Sequence, residues 1–491
     1  MNSLTSGGSE GARRFPDGFV WGVGTSSYQI EGAVAADGRG RSIWDVFTHT
    51  PGNINRGDTG DIACNSYNRL DDDVRLLSEL GVGAYRFSVS WPRVLPAGSG
   101  SVNQSGLDYY RRLVERLNQN GIKPVVTAYH WDLPQALEER GGWANRDTAL
   151  HLGELAHVLA DALGDQVAMW VTINEPLQIV NQGYLTGTHA PGRRDPELAA
   201  AAIHHILLGH GYALQALRAQ LPNAVIGPTM DPQPFQALDE GAELVARALD
   251  AEYNRVYLDP VFRGTYPGDL RADLQAPPAL IKDGDLELIS APIDFFGVNY
   301  YRPHYVRSGD ASNLRLGESA IPGHPGTVLY LPAEMPRTVM GWPIVPEGLR
   351  DLLIRVHQES GGLPLYITEN GCAADDYLTP EGRVEDDERI AFIHGHAQAA
   401  LQALDAGVNV CGYFHWSLMD NFEWAEGYRR RFGLHYVEFD SGRRVAKRSA
   451  QFYRQLALTG ELPAIADTAA ATDAVPAGGQ EPELPEAHAT V

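Results

Sequence analysis

Two glutamates stand out in this chain because each lies at the end of a short apolar run. The run before Glu175 is residues 167–173, followed by Asn174, and the run before Glu369 is residues 365–368. Runs of this kind, rich in β-branched residues, are typical of buried strands that end in a polar loop. Two carboxyl groups at one site can hydrolyse a glycosidic bond, because a protonated one assists the leaving group while an ionised one meets the cation-like sugar. The two glutamates are therefore the candidate catalytic residues.

The residues beside each glutamate fit the end of a strand. Pro176 has no N–H and disfavours helix in the residue before it, which predicts an extended Glu175 at the strand tip. The Asn370-Gly371 pair after Glu369 is a common turn sequence. Alone, each glutamate could be a surface residue in a turn. Two of them at matching strand ends favour a shared site.

One cation lies inside an apolar run. Arg86 falls within the strand-like segment 84–91. A buried guanidinium needs an anionic partner, and a carboxylate kept ionised as a nucleophile would supply one. A salt bridge to a purely structural acid is the alternative.

Aromatic, amide and imidazole side chains lie near other strand ends. Sugars present hydroxyl groups and apolar faces, so a sugar pocket combines hydrogen-bonding side chains with flat rings. The candidates are Gln29, His130, Trp131, Asn299, Tyr301, Trp416, Glu423 and Trp424. Core packing is the alternative for Trp416, Trp424 and His130.

The elements that position these residues alternate along the chain. The predicted strands are 19–24, 84–91, 123–130, 167–174, 224–230, 294–301, 364–369 and 410–416. Amphipathic stretches between them predict helices at 71–80, 108–120, 148–163 and 387–406. Eight such units predict an α/β fold, a single (β/α)8 barrel with enlarged βα loops. The runner-up is a doubly wound sheet, but residues 22–27 lack the third glycine of its phosphate-binding turn.

The barrel explains where the candidates lie and how far the domain extends. Barrel enzymes keep their sites at the C-terminal ends of the strands, and Glu175 and Glu369 end the fourth and seventh. We expect the catalytic barrel over residues 15–463. Residues 1–14 and the acidic Ala/Pro-rich residues 464–491 contain few large apolar side chains and predict disordered tails.

Composition narrows the class of protein. The net charge of −23 argues against nucleic acid or an anionic membrane as a partner. Cys64, Cys372 and Cys411 form no metal or disulfide pattern, and we see no signal peptide or membrane span, which predicts a cytoplasmic protein. We expect a small-molecule substrate, no metal and no cofactor. The oligomeric state stays open, a homo-oligomer included.

Taken together, the motifs resemble glycoside hydrolase family 1, the β-glucosidase family, over nearly the whole expected domain. The motifs that carry the resemblance are Tyr28-Gln29-Ile30-Glu31-Gly32, Arg86-Phe87-Ser88, Tyr129-His130-Trp131-Asp132-Leu133-Pro134, Asn174-Glu175-Pro176, Asn299-Tyr300-Tyr301, Ile367-Thr368-Glu369-Asn370-Gly371 and Asn421-Phe422-Glu423-Trp424. Their number makes chance agreement negligible.

The resemblance implies a role for each candidate residue. Glu175 would be the general acid/base and Glu369 the nucleophile of a retaining β-glucosidase, with Arg86, Tyr301 and Asn299 supporting the nucleophile. The residues implied in substrate binding are Gln29, His130, Trp131, Asn174, Trp342, Trp416, Glu423 and Trp424. Trp342 matches the family's aglycone-side tryptophan. Leu177 stands where many bacterial relatives have tryptophan, at a position expected to face the aglycone.

Two other classes of protein remain as alternatives. Relatives that have lost one glutamate act as carbohydrate binders, but this chain keeps both. A metal-dependent barrel hydrolase would need histidine pairs at ligand spacing near strand ends, and the sequence contains none. Transglycosylation is compatible with the same covalent intermediate.

Overall fold

Eight parallel strands form a closed barrel in the computed structural model, which describes residues 13–463. Labelled β1 to β8 in chain order, they are Val20–Gly24, Ala84–Ser88, Lys123–Thr127, Met169–Asn174, Ile226–Met230, Phe296–Asn299, Leu365–Asn370 and Val410–Trp416. β8 pairs with β1, so the ring has no free edge. The predicted (β/α)8 barrel is confirmed, and the doubly wound sheet is wrong.

Helices connect successive strands and cover the outside of the barrel. The long ones, labelled α1 to α8, are Leu70–Leu80, Gln104–Gln119, Asp147–Leu163, Pro196–Gln220, Val256–Arg263, Pro346–Glu359, Asp387–Asp405 and Arg448–Thr459. Local sequence fixes their ends. Acidic residues fill the first turn of α1, and Gly81 ends it in the left-handed conformation, with a φ of 71°. Asp195 caps α4 by accepting from two backbone N–H groups.

Shorter elements lie in the long loops. The short α-helices are Ser27–Ile30, Ile43–Thr48, Trp91–Val94, Gln135–Glu138, Pro176–Val180, Glu243–Asp250 and Asp285–Ile289. The short strands outside the barrel are Phe235–Ala237, His304–Ser308, Glu318–Ala320, Thr327–Tyr330, His435–Glu438 and Arg443–Ala446. Four of them, from Phe235–Ala237 to Thr327–Tyr330, form one sheet beside the mouth of the barrel.

The interior of the barrel changes from apolar to polar along its axis. Ala84, Val125, Val171 and Phe414 form an apolar cluster there. Arg86 lies two residues beyond Ala84 on β2, so its side chain points to the same face but nearer the C-terminal end. The polar end of the interior is where the candidate site begins.

The two ends of the described chain meet. Arg13–Arg14, placed in the N-terminal tail by the sequence, pairs in antiparallel fashion with Glu461–Leu462. The remaining tail predictions, residues 1–12 and 464–491, lie outside the described residues. Across residues 13–463, every helix is too short or too polar to cross a bilayer.

Candidate active site

A pocket of about 300 Å³ opens at the C-terminal ends of the strands. Glu175 and Glu369 both line it, together with His130, Trp131, Tyr301, Trp342, Trp416, Glu423 and Trp424. The structure therefore brings both candidate carboxyl groups and most of the predicted aromatic residues into one cavity.

Glu369 lies between two donors. Arg86 Nη1 donates to Oε1 over 2.7 Å, and the Tyr301 hydroxyl donates to Oε2 over 2.8 Å. Both Glu369 and Arg86 are buried. The guanidinium offsets the carboxylate charge and, with Tyr301, fixes its orientation. Arg86 thus has the anionic partner that its position in a strand predicted.

Glu175 adopts a conformation that the sequence did not predict. Its φ is 49° and its ψ 66°, which is left-handed rather than extended. Pro176 disfavours only the right-handed helical region for the residue before it, so the left-handed region stays open. This turn starts the helix Pro176–Val180, and Glu175 N–H donates to the carbonyl of Thr229 on β5 over 3.0 Å. A strained non-glycine backbone of this kind persists where the surrounding contacts hold it.

Asn299 supports Glu175 and not Glu369. Its Nδ2 donates to Glu175 Oε1 over 2.6 Å and to Asn174 Oδ1 over 3.2 Å, while its Oδ1 accepts from Thr368. We expected it among the residues around the nucleophile candidate. The Thr368 bond turns the amide so that its N–H groups face β4 instead.

A chain of hydrogen bonds links the two glutamates. Asn174 Oδ1 accepts from Asn299 and also from Arg86 Nη2, over 2.6 Å, and Arg86 in turn holds Glu369. These bonds cross the barrel between strands that are not adjacent: β6 to β4, β2 to β4 and β2 to β7. The barrel therefore fixes the relative position of the two carboxyl groups through Asn174, Asn299 and Arg86.

The surroundings of Glu175 favour its protonated form. Burial raises its pKa well above the ordinary value, and the nearby carboxylates of Asp231 and Glu369 raise the pKa further. The Asn299 hydrogen bond and the Arg86 charge act in the opposite direction but do not outweigh these effects. These surroundings therefore favour the carboxylic acid form of Glu175 over the carboxylate.

The segment after β8 supplies another wall of the pocket. Gln29 Nε2 donates to Asn421 Oδ1 over 3.0 Å and to Glu423 Oε2 over 3.3 Å. Burial and the charge of Glu369 raise the pKa of Glu423 to about 8. Gln29 thus fixes the orientation of Glu423 in this wall.

His130 is neutral and partly unpartnered. Burial and the charge of Arg86 lower its pKa well below the ordinary value. Asn174 Nδ2 donates to its Nε2 over 3.3 Å, and its Nδ1 has no partner. The ring stacks with Trp416, with ring centres 5.8 Å apart. A buried unpartnered ring nitrogen beside flat aromatic faces suits a hydroxylated ligand.

Two tryptophans in the pocket share the unusual backbone of Glu175. The φ angles of Trp131 and Trp424 are 76° and 47°. Their ring centres lie 4.7 Å apart, and Trp131 Nε1 donates to the carbonyl of Asn174 over 3.1 Å. Non-glycine residues with such angles cluster at functional sites, where other contacts compensate for the strain.

Three charged residues that line the pocket were not predicted from the sequence: Asp231, Arg302 and Glu426. Asp231 directly follows β5, and Arg302 comes three residues after β6. The rule that selected Glu175 and Glu369, a polar residue directly after a barrel strand, would also have selected Asp231. Gln178 Nε2 donates to Asp231 Oδ2 over 2.7 Å, and Oδ1 is buried without a partner.

Leu177 does not face the pocket. Its side chain is buried and lines a separate cavity of about 230 Å³. The expectation that this position contacts the aglycone is wrong for this chain. Trp342, in contrast, lines the pocket beside Tyr301, with ring centres 5.5 Å apart.

The described residues contain no cluster of metal-ligating side chains. Across residues 13–463 no three His, Cys, Asp or Glu side chains are grouped as ligands would be. Cys64, Cys372 and Cys411 are free thiols.

A closed parallel barrel with paired carboxyl groups among aromatic side chains defines a barrel hydrolase of the glycosidase type. The family model for glycosyl hydrolase family 1 matches residues 12–461. β-Glucosidase A of Thermotoga maritima is 44% identical over 445 residues, which cover 90% of this chain and 97% of the relative. A bifunctional β-D-glucosidase/β-D-fucosidase of Bifidobacterium breve is also 44% identical, over 90% of this chain and 97% of its own.

Solved structures agree with the sequence comparison. The Thermotoga maritima β-glucosidase in complex with a methyl acetic acid-substituted glucoimidazole superposes with a TM-score of 0.85 and 42% identity. The alignment covers 92% of this chain and all of that one. The chain belongs to glycosyl hydrolase family 1, a family of enzymes that cleave glycosidic bonds.

Proposed function

We propose that this chain is a retaining β-glucosidase that removes terminal non-reducing β-D-glucosyl residues from aryl glucosides and cello-oligosaccharides. The observation that carries the proposal is the unequal environment of two glutamates in one pocket. Glu369 is paired with a guanidinium, whereas burial and neighbouring carboxylates keep Glu175 protonated. Double displacement requires this asymmetry.

The first step forms a covalent glycosyl-enzyme. A carboxylate oxygen of Glu369 attacks the anomeric carbon, and the bond from that carbon to the leaving oxygen breaks. Glu175 gives its proton to that oxygen, so the aglycone departs as a neutral alcohol. Arg86 and Tyr301 hold Glu369 in position for the attack.

The second step depends on a change in the pKa of Glu175. Glu369 becomes a neutral ester in the intermediate, so one of the charges that raise the pKa of Glu175 disappears. Having already lost its proton, Glu175 now takes one from water as the water attacks the anomeric carbon. Glu369 leaves as a carboxylate, and the sugar keeps its β configuration.

We propose that the glycone is bound by the side chains around Glu423 and His130. Gln29, His130, Asn174 and Glu423 are proposed to bind hydroxyl groups, Trp416 to form the floor, and Trp131 and Trp424 to complete the wall. The unpartnered Nδ1 of His130 and the buried carboxyl of Glu423 support this assignment. Two relatives, a β-glucosidase and a bifunctional β-D-glucosidase/β-D-fucosidase, support glucosides as substrates and some tolerance for fucosides.

The unequal roles can be tested with 2,4-dinitrophenyl β-D-glucoside, whose leaving group needs no proton. Glu369→Ala should abolish turnover, because nothing else attacks the anomeric carbon. Glu175→Ala should still form the intermediate and release a burst of dinitrophenol, followed by slow hydrolysis. Stopped-flow absorbance measures the burst, and circular dichroism checks that both variants fold.

Added azide distinguishes the two roles independently. In Glu175→Ala, azide should attack the intermediate and give β-glucosyl azide. In Glu369→Ala, azide should attack the substrate directly and give the α product. Equal losses of dinitrophenol release in both variants, or an α-glucose first product from the unaltered enzyme, would refute the proposal.

We also propose a reducing compartment such as the cytoplasm. The three free cysteines support it, since two of them are buried thiols rather than members of a disulfide framework.

A further inference from the structure

Arg302 is a charged residue of the pocket that the proposed reaction does not use. Its guanidinium lies over the ring of Trp342, 5.0 Å from the ring centre. Within residues 13–463 it makes no ion pair and no hydrogen bond through its side chain. None of its side-chain nitrogen atoms is buried without a partner. Because these atoms make no hydrogen bond, they are accessible from the cavity that Arg302 lines.

Among the described residues, none of the acidic side chains that line the pocket pairs with this cation. Asp231 accepts a hydrogen bond from Gln178, and Glu423 accepts one from Gln29. Glu369 is paired with Arg86, and Glu426 with Arg430 over 3.0 Å. Glu175 is kept protonated by its surroundings. Burial lowers the pKa of Arg302 to about 10, so it still carries its charge at neutral pH. Among the side chains that line the pocket in the described part of the chain, it is the one arginine or lysine.

The chemistry of the substrate indicates what this cation can bind. A glucosyl group carries only neutral hydroxyl groups, and the side chains proposed to bind it lie mainly on the segments after β1, β3 and β8. Arg302 belongs to the segment after β6, with Tyr301, Met340 and Trp342. An anionic group near Arg302 must therefore belong to the other part of the substrate, the aglycone.

We propose that Arg302 binds a negatively charged group of the aglycone, such as the carboxylate of a phenolic acid, while Trp342 contacts its apolar ring. A guanidinium forms strong charge-assisted hydrogen bonds with a carboxylate, and its two donors match the two oxygens. This inference rests on the proposed β-glucosidase function and adds a class of leaving group to it. β-Glucosides of carboxylated phenols are then better substrates than their neutral counterparts.

The test compares two substrates that differ in charge and little in shape. We would measure kcat/KM for 4-carboxyphenyl β-D-glucoside and for 4-(methoxycarbonyl)phenyl β-D-glucoside, its neutral methyl ester. The ratio of the two is determined for the unaltered enzyme, for Arg302→Gln and for Arg302→Lys. Comparing ratios between variants cancels the intrinsic difference between the two leaving groups and any general loss of activity.

A matched control comes from the same segment. Arg307 also lies over an aromatic ring, that of Tyr330 at 3.6 Å, but it pairs with Glu318 and does not line the pocket. Arg307→Gln should leave the ratio unchanged. This control shows whether the loss of any arginine near this sheet changes the preference for the acid over the ester.

The expected result is a fall in the acid-to-ester ratio of roughly tenfold in Arg302→Gln, the size of one hydrogen bond to a charged group. Arg302→Lys should retain part of the preference, since it keeps the charge but loses the planar pair of donors. An unchanged ratio in Arg302→Gln overturns the inference even if the enzyme hydrolyses both glucosides. If the unaltered enzyme hydrolyses neither glucoside, the proposed function is overturned instead.

Discussion

The protonation of Glu175 is decided by its neighbours. The charge of Glu369 raises the pKa of Glu175, as two carboxyl groups at one site would be expected to affect each other. Burial contributes more, and so does Asp231, which the sequence did not single out. The position of Asp231 relative to Glu175 depends on how the ends of β4 and β5 pair. No local pattern in the chain reveals that pairing.

Removing the charge of Asp231 should change the pH dependence of the reaction. The first step needs protonated Glu175, so kcat/KM falls as the pH rises above the pKa of Glu175 in the free enzyme. Asp231→Asn removes an anion that raises this pKa, and the alkaline limb of the profile should move to lower pH by about one unit. Burial still keeps the pKa above its ordinary value.

The asparagine in this variant keeps an acceptor for Gln178, so a general disturbance of the pocket is small. Asp283→Asn, at an exposed aspartate outside the pocket, is the matched control and should leave the profile unchanged. The measurement is kcat/KM for a neutral aryl glucoside from pH 5 to pH 10. An alkaline limb that stays in place in Asp231→Asn would show that this charge does not act on the proton donor.

At the scale of elements, the strands were the most predictable part of the fold. All eight barrel strands were predicted, and four of the long helices agree with prediction to within four residues at each end. β2 is shorter than predicted because Pro92 occupies the first turn of a helix that begins at Trp91. Apolar residues alone could not distinguish that buried helical turn from a continued strand.

The short strands beside the barrel mouth were not predicted. Glu318–Ala320 and Thr327–Tyr330 pair across a turn, and Phe235–Ala237 joins His304–Ser308 from far along the chain. Strands of three to five residues carry little alternation of their own. Part of their pairing joins segments that lie far apart in the chain, as Phe235–Ala237 does with His304–Ser308, and no local pattern reveals it.

The ends of β7 and β8 approach each other so closely that a glycine is required between them. A Cβ on Gly371 would lie 1.9 Å from the carbonyl oxygen of Trp416. Glu369 lies two residues before this glycine, and Trp416 lines the pocket. The spacing between the proposed nucleophile and the proposed floor of the sugar site therefore depends on a residue that touches no substrate.

Gly371→Ala should weaken both folding and activity. The added methyl group must push β8 away or distort the turn after β7, which costs roughly 1–3 kcal/mol in a packed interior. Chemical denaturation measures the free energy of unfolding, and kcat/KM for an aryl glucoside measures the effect on the site. Gly268→Ala is the control, because a Cβ there would have no heavy atom within 4 Å. Equal stability of the two variants would mean that the strand ends adjust without cost.

For the whole molecule, charge acts differently at long and at short range. The net charge of −23 repels an anionic substrate at a distance, but salt screens exposed charges beyond about 8 Å at physiological ionic strength. Within the pocket Arg302 is the nearer charge. The composition argued against a basic surface for binding nucleic acid or an anionic membrane. It could not reveal a single cation inside a cavity.

The two ends of the described chain pair with each other. Glu461–Leu462 pairs with Arg13–Arg14, Leu462 is buried, and His394 Nε2 lies 2.9 Å from the carbonyl of Pro463. We propose that the catalytic barrel ends at residue 463, so removal of 464–491 should leave the thermal midpoint and kcat/KM unchanged. Removal from Glu461 onward exposes the partners of Leu462 and should cost about 2 kcal/mol of stability. Calorimetry of both truncated proteins tests this boundary, which would be wrong if the first truncation lowered the midpoint as much as the second.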